Sequence, residues 1–331
     1  MQRRNKTSEP NIQTVVSMAA LSSEECVQKE GSEPRRVLSG IDLTIGRGQS
    51  WGITARTGFE IRLLLEVMGN IRPYGGGKCV LIERGMLRRK RVILPHVFYI
   101  GDTDMLYDNM NALEYLMFAT ENLRDDRLSM QEELFDLLIG IGIGHISLSG
   151  IRWMTEEEKS VLALIAAAYS NCLLIVFNLP EASFDDKLRG AVARVAERIT
   201  QRGKTLVIGT KDCSLIQAAC SHTAFITGGR ILYQGTTEEL RQTWDKVAVV
   251  VNDPDIASVR KRLEPVLANC TLAEKDGSLL IKAEGEAAPS RIFRQIAETG
   301  VVPRSVQVNE KTVGNAYEEL IQKSDLSEQL F

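Results

Sequence analysis

The sequence has little of what marks a metalloprotein, a secreted domain or a nucleic-acid coat. Its six cysteines, Cys26, Cys79, Cys172, Cys213, Cys220 and Cys270, include no C-x-x-C pair and read as scattered, reduced structural thiols. Cys172 heads an apolar run and is expected in the core. The three histidines, His96, His145 and His222, lie too far apart in sequence for metal-ligand spacing, so no metal is expected. No run reaches the eighteen or so apolar residues of a membrane helix, and the basic N-terminus leads into no signal-type apolar region. The expectation is a cytoplasmic chain, held to the inner face of a membrane only through partners. A net charge of −3 and a pI near 5.8 lack the basic surplus of a nucleic-acid binder, so no nucleic-acid partner is expected. The local exception, Arg84–Arg91, has no interleaved aromatics and reads as a solvated turn face.

What is present is an ordinary globular composition, 44% hydrophobic and 25% charged, over a length that suits one large core and a second small domain. Residues 1–11 are polar and expected to fray. Strands are expected over Ile12–Met18 and Val37–Ile45, and a third ends in Trp51-Gly52-Ile53-Thr54. Cys79–Ile82 and Val92–Ile100 follow as strands, then a helix over Asn111–Thr120 capped by Asn111, and a second over Leu128–Ile139. Glu156–Tyr169 starts charged and turns wholly apolar, so it must be buried for most of its length. Leu173–Phe177 reads as a central parallel strand, and helix Lys187–Gln201 with strand Thr205–Ile208 repeats the rhythm of an α/β doubly wound sheet with a helical insertion.

One stretch organises the chain. Ser50–Gly69 is strand, turn and apolar-periodic helix, the context of a phosphate-binding loop. The loop itself reads Ala55, Arg56, Thr57, Gly58, Phe59, Glu60, Ile61, Arg62. Against G-x-x-x-x-G-K-[ST] it offers alanine for the first glycine, a carboxylate for the second, an aliphatic side chain for the lysine and a guanidinium for the hydroxyl. A second match, Gly75-Gly76-Gly77-Lys78, follows a helix and precedes a strand, and Cys79 replaces its hydroxyl, so it is rejected as a phosphate site.

The downstream order resembles the nucleotide-binding subunit of an ABC transporter over about residues 12–240. Leu173-Leu174-Ile175-Val176-Phe177-Asn178-Leu179-Pro180 with Ser183-Phe184-Asp185 looks like that family's Walker B strand running into its D-loop. Thr205–Asp212 looks like its switch strand, and Gly228–Gly235 with Thr237–Leu240 like the hairpin and helix that close its core. The resemblance implies a P-loop NTPase-like cassette with a helical subdomain over about 102–169. It also implies that Asn178 stands for the metal-binding aspartate, Leu179 for the water-polarising glutamate, Lys211 for the switch histidine and Asp102 for the Q-loop glutamine. The family signature falls by spacing on Met154, Thr155, Glu156, Glu157, Glu158. Leu148-Ser149-Gly150 also resembles it, at the cost of an insertion. No aromatic between Ile12 and Gln49 is an obvious adenine-stacking counterpart.

A lost charge-assisted phosphate contact is worth about 1.5–3 kcal/mol, and a missing acid–base group costs roughly 10²–10⁴ in rate. The expectation is therefore a chain that is no enzyme: a non-catalytic, pseudo-ATPase cassette, with no ATP or magnesium unless the altered loop still binds. It would pair with an ATPase-competent cassette and dock on transmembrane subunits through Leu106, Tyr107, Leu113, Tyr115 and Phe118, whose bland reading is helix core. The alternatives are a soluble scaffold or regulator, and an atypical active ATPase. After Leu240 the pattern of Val247–Val251, Ile256–Leu267, Thr271–Glu274, Leu279–Ala283, Ser290–Thr299, Ser305–Val308 and Val313–Lys323 gives a small α+β, ferredoxin-like accessory domain over 246–331. It resembles the extension on some ABC subunits of drug- and peptide-export type; ligand sensing, dimer support and simple edge covering all stay open.

Overall fold

A computed structural model describes residues 13–27, 34–86, 96–101, 107–120, 126–242, 247–275, 277–283, 288–308 and 312–328. Asp102, Leu106 and the second half of the basic run, residues 87–91, lie outside the described residues.

The chain divides into two compact units, Met1–Glu238 with Tyr317–Phe331, and Glu239–Ala316. The first opens with β1 (Thr14–Ser22), β2 (Ile41–Gly46), β3 (Ser50–Ala55), α1 (Gly58–Met68), β4 (Gly76–Leu81) and β5 (Val97–Ile100). An all-helical stretch follows: α2 (Ala112–Thr120), α3 (Arg127–Gly140), two single 3₁₀ turns at Gly144–Ile146 and Ile151–Trp153, and α4 (Glu156–Tyr169). Then come β6 (Leu174–Asn178), α5 (Asp186–Gln201), β7 (Thr205–Gly209), α6 (Cys213–Ala219), β8 (His222–Thr227), β9 (Arg230–Thr236) and α7 (Thr237–Gln242).

Two sheets carry this unit. β1 lies between β2 and β4 in an antiparallel sheet, with a bulge on each side of its C-terminal half. The larger sheet runs β9-β8-β3-β7-β6-β5, parallel except for the β8–β9 hairpin. β3, β6 and β7 are buried at every position, so they read as continuous apolar runs with helices on both faces. Two of the three glycines of the rejected GGGK segment, Gly76 and Gly77, enter strand β4, and Gly77 takes a positive φ of 78° where its Cβ would strike backbone oxygens of Ala19 and Ala20. α4 has the bounds expected of it and is buried from Ser160 to Tyr169. α2 begins where Asn111 predicts: Asn111 Oδ1 accepts from the Glu114 amide at 2.9 Å while Glu114 Oε2 accepts from the Asn111 amide at 2.9 Å.

The second unit has its own core. β10 (Val247–Asn252), α8 (Ile256–Leu263), β11 (Thr271–Lys275), β12 (Ser278–Lys282), α9 (Ala288–Glu298) and β13 (Ser305–Val308) form a βαββαβ unit. Its antiparallel sheet runs β11-β12-β10-β13, and Val249, Val251, Leu263, Leu279, Ile281 and Ile292 fill its core. The last helix, α10 (Val313–Glu328), differs from the sequence boundary at 246–331. Its residues from Tyr317 onward group with the first unit, where the Tyr317 ring meets Phe225 edge-on at 5.0 Å.

Candidate functional site

The parallel strands β3, β7 and β6 end side by side, and their exits are stitched by backbone hydrogen bonds. The Thr210 amide donates to the Ile53 carbonyl at 3.1 Å, the Leu179 amide to Gly209 at 3.2 Å and the Lys211 amide to Pro180 at 3.2 Å. The exits carry Ala55–Gly58, Asn178–Glu181 and Thr210–Asp212, so the loop, Walker B and switch positions named from sequence meet at one edge. This is the edge at which open parallel sheets take ligands.

Helix α1 starts at Gly58 because Thr57 and Glu60 form a capping box. Thr57 Oγ1 accepts from the Glu60 amide at 3.3 Å, and Glu60 Oε2 accepts from the Thr57 hydroxyl at 2.9 Å and its amide at 3.4 Å. The other carboxylate oxygen, Oε1, accepts from the Gly229 amide at 2.9 Å, across 169 residues of sequence. Glu60 is buried, 7% exposed, and its carboxylate is turned under the helix start. That differs from the expectation of a carboxylate facing polyphosphate, and the reason is physical. A buried carboxylate needs donors, and the hairpin turn supplies one. Ile61 is fully buried and wedges on β7, where a Cβ on Gly209 would meet Ile61 Cγ2 at 2.6 Å. Arg56, Thr57 and Phe59 are exposed, Arg62 is half-buried, and Ala55 and Gly58 are buried.

At the end of β6, Asn178 donates through Nδ2 to the Arg62 carbonyl at 3.1 Å and to the Tyr99 hydroxyl at 2.8 Å. Its Oδ1 is buried and has no partner, as is Thr54 Oγ1 at the end of β3. Leu179 is buried at 8% exposure. Beyond it, a carboxylate that sequence reasoning did not single out lies over the loop: a Cβ on Gly58 would collide with Glu181 Oε1. Glu181 Oε2 accepts from Lys211 Nζ at 2.9 Å. Only its place after Asn178-Leu179-Pro180 could have pointed to it. Asp212 caps α6 through the Ser214 and Leu215 amides, at 2.9 and 3.2 Å, and takes Arg189 at 3.2 Å. In the D-loop, Ser183 is exposed, Phe184 packs on Phe177 at 6.1 Å between centroids, and Asp185 caps α5 through the Leu188 amide at 2.7 Å.

The signature positions are built differently. Met154 is buried, Thr155 caps α4, and Glu156, Glu157 and Glu158 make its first turn, where negative charge favours the helix dipole. Thr155 Oγ1 accepts from the Glu158 amide at 3.1 Å, Glu158 Oε2 from the Thr155 amide at 2.9 Å, and Glu156 pairs with Lys159 at 3.0 Å. Two large apolar side chains precede this turn in the open, Trp153 at 83% and Leu148 at 72% exposure. Of the docking set, Leu113 is core at 8%, Tyr115 is half-buried, and Tyr107 and Phe118 meet edge-on at 5.3 Å, each about half exposed.

No family model matches the chain. Known proteins do. The Glutamine transport ATP-binding protein GlnQ of Escherichia coli (strain K12) is 23% identical over 217 residues, 62% of this chain and 88% of the relative. The Methionine import ATP-binding protein MetN of Carboxydothermus hydrogenoformans is 23% identical over 279 residues, 82% of each chain, a span too long to stop at Glu238. Of the Energy-coupling factor transporter ATP-binding protein EcfA2 of Methanospirillum hungatei JF-1, the chain spans about half the length, 52%. Among solved structures, cbiO1 from Clostridium perfringens, described as part of the ABC transporter complex cbiONQ, superimposes with a TM-score of 0.53 at 16% identity, covering 77% of this chain and 97% of that one.

The chain is similar in sequence to ATP-binding subunits of ABC transporters and has the fold of an ATP-binding cassette. These relatives correct the expectation of a chain that is no enzyme, since those it matches are named as ATP-binding proteins of transporters. That expectation rested on several altered positions together, and at one of them the Glu60 carboxylate is held by Thr57 and Gly229. Among the described residues no helix is long and apolar enough to cross a membrane, and no group of three side chains is placed to hold a metal ion.

Proposed function

We propose that the chain is the ATP-binding subunit of an ABC transporter complex, pairing with an ATPase-competent cassette and docking on transmembrane subunits. The observation that carries this reading is the convergence of the β3, β6 and β7 exits on the N-terminus of α1, with one buried oxygen on the α1 face, Asn178 Oδ1, left without a partner. An orphaned buried oxygen calls for a ligand, an ion or a water. These groups fit a nucleotide phosphate with its magnesium: the helix start draws the anion, and the Asn178 oxygen suits a hard cation or its water. Bound ATP would supply the free energy of its phosphate bond to the transporter.

The chain's own residues have defined parts in this reading. Thr57 and Glu60 fix the helix start at the strand ends, Asn178 ties β6 to Arg62 and Tyr99, and Asp185 and Asp212 fix the two loops that flank the site. Trp153 and Leu148, beside the first turn of α4, suit a face that meets a second cassette, and the Tyr107–Phe118 pair suits a helix of a transmembrane subunit. Affinity purification from solubilised membranes tests the assembly. Tagged wild-type chain should retain a second cassette and a membrane subunit, Tyr107→Ala with Phe118→Ala should lose the membrane subunit, and Trp153→Ala should lose the cassette. Recovery of the wild-type chain without either would overturn the reading.

A further inference from the structure

The phosphate loop lacks its lysine, because Ile61 occupies that place and is fully buried. The strand exits bring one to it from outside. The Lys211 amide is fixed on the Pro180 carbonyl at 3.2 Å, and its ammonium pairs with Glu181 at 2.9 Å. The Glu181 carboxylate in turn lies against Gly58, the first residue of α1, where the positive end of the helix attracts an anion. Asp212, the neighbouring carboxylate, does not compete for Lys211, because it caps α6 and accepts from Arg189. Arg56 is the other cation of the loop, and it too is exposed. On the α1 face of the sheet, the buried Asn178 Oδ1 is left without a partner.

We propose that Glu181 and Lys211 form an exchangeable ion pair: the Glu181 carboxylate covers the loop when no phosphate is there, and Lys211 passes from Glu181 to the phosphate when it arrives. The inference rests on the ATP-binding reading and says which side chains set the affinity. The side chains are 60% and 46% exposed, so their pairing is weak and readily traded for a multiply charged phosphate. The exchange replaces one carboxylate by one phosphate, so Lys211 keeps a partner throughout and Glu181 leaves to solvent.

Calorimetric titration of the full chain with inorganic tripolyphosphate, with MgATP and with adenosine tests this. Glu181→Gln should bind tripolyphosphate and MgATP about five-fold more tightly, because a repelling charge is gone. Lys211→Met should bind both roughly tenfold more weakly and with a shallower salt dependence, having lost one charge-assisted contact. Adenosine binding should be the same in all three proteins, and unchanged circular dichroism and melting would exclude misfolding. If Lys211→Met does not fold, Lys211→Gln serves. MgATP bound equally well by wild type and both variants would overturn the exchange and leave the cassette reading intact. MgATP bound by none of them would overturn both.

Discussion

Two helices of the first unit begin in the same way and with different consequences. α1 opens on Thr57 and Glu60, α4 on Thr155 and Glu158, each a capping box of threonine and glutamate three residues apart. At α4 the hydrogen bonds of the box stay within the first turn, beside an exposed Glu156 and a half-buried Glu157, and the other Glu158 oxygen lies 3.9 Å from His145 Nε2. At α1 the glutamate of the same device is buried, and Glu60 adds a bond to the Gly229 amide that ties the loop to the β8–β9 turn. In both places the glutamate falls in a stretch that the sequence reading aligned with a phosphate-facing motif, and in both it is a helix-starting residue. A charge in a motif position repels a ligand only if it faces the ligand, and hydrogen bonding decides where it faces.

Mutations in the two boxes, with Lys204 at the other end of α4, should separate the box whose glutamate is buried from the exposed one, and guanidinium unfolding of the purified chain measures all four. Glu60→Ala carries the largest loss, about 3 kcal/mol, because it deletes the cap and leaves the Gly229 amide buried without an acceptor. Lys204→Met should cost about 1.5 kcal/mol. Its ammonium binds the carbonyls that end α4, Ala168 at 2.6 Å and Ser170, although burial pulls its pKa down to about 8. Thr57→Ala removes one side of the α1 box and should cost about 1 kcal/mol. Glu158→Ala should cost only about 0.5 kcal/mol, since the Thr155 amide it serves can turn to water. Equal losses for Glu60→Ala and Glu158→Ala would break the comparison.

The fold was largely legible because its signals are local. Alternation and apolar runs gave the strands, Asn111 announced its helix, and the wholly apolar run of α4 required burial. The βαββαβ order of the tail could be read from five periodic stretches and one allowance near Thr271. The site was legible only as a set of places. Nothing near Glu60 in sequence says that its carboxylate reaches Gly229, because the partner lies on another hairpin. Glu181 sits in no motif position and acquires meaning only when β6 and β3 end side by side. Lys211 read as a lost histidine, and its pairing with Glu181 depends on the same adjacency. Sequence placed the residues at one sheet edge, but the direction of each side chain is a tertiary fact.

The most direct test of the account is calorimetric titration of the wild-type chain with MgATP at low and moderate salt. Saturable one-site binding that weakens as salt rises is the predicted result, since phosphate and the cations around α1 carry the attraction. No measurable heat up to millimolar MgATP, from a chain shown by circular dichroism to be folded, would contradict it.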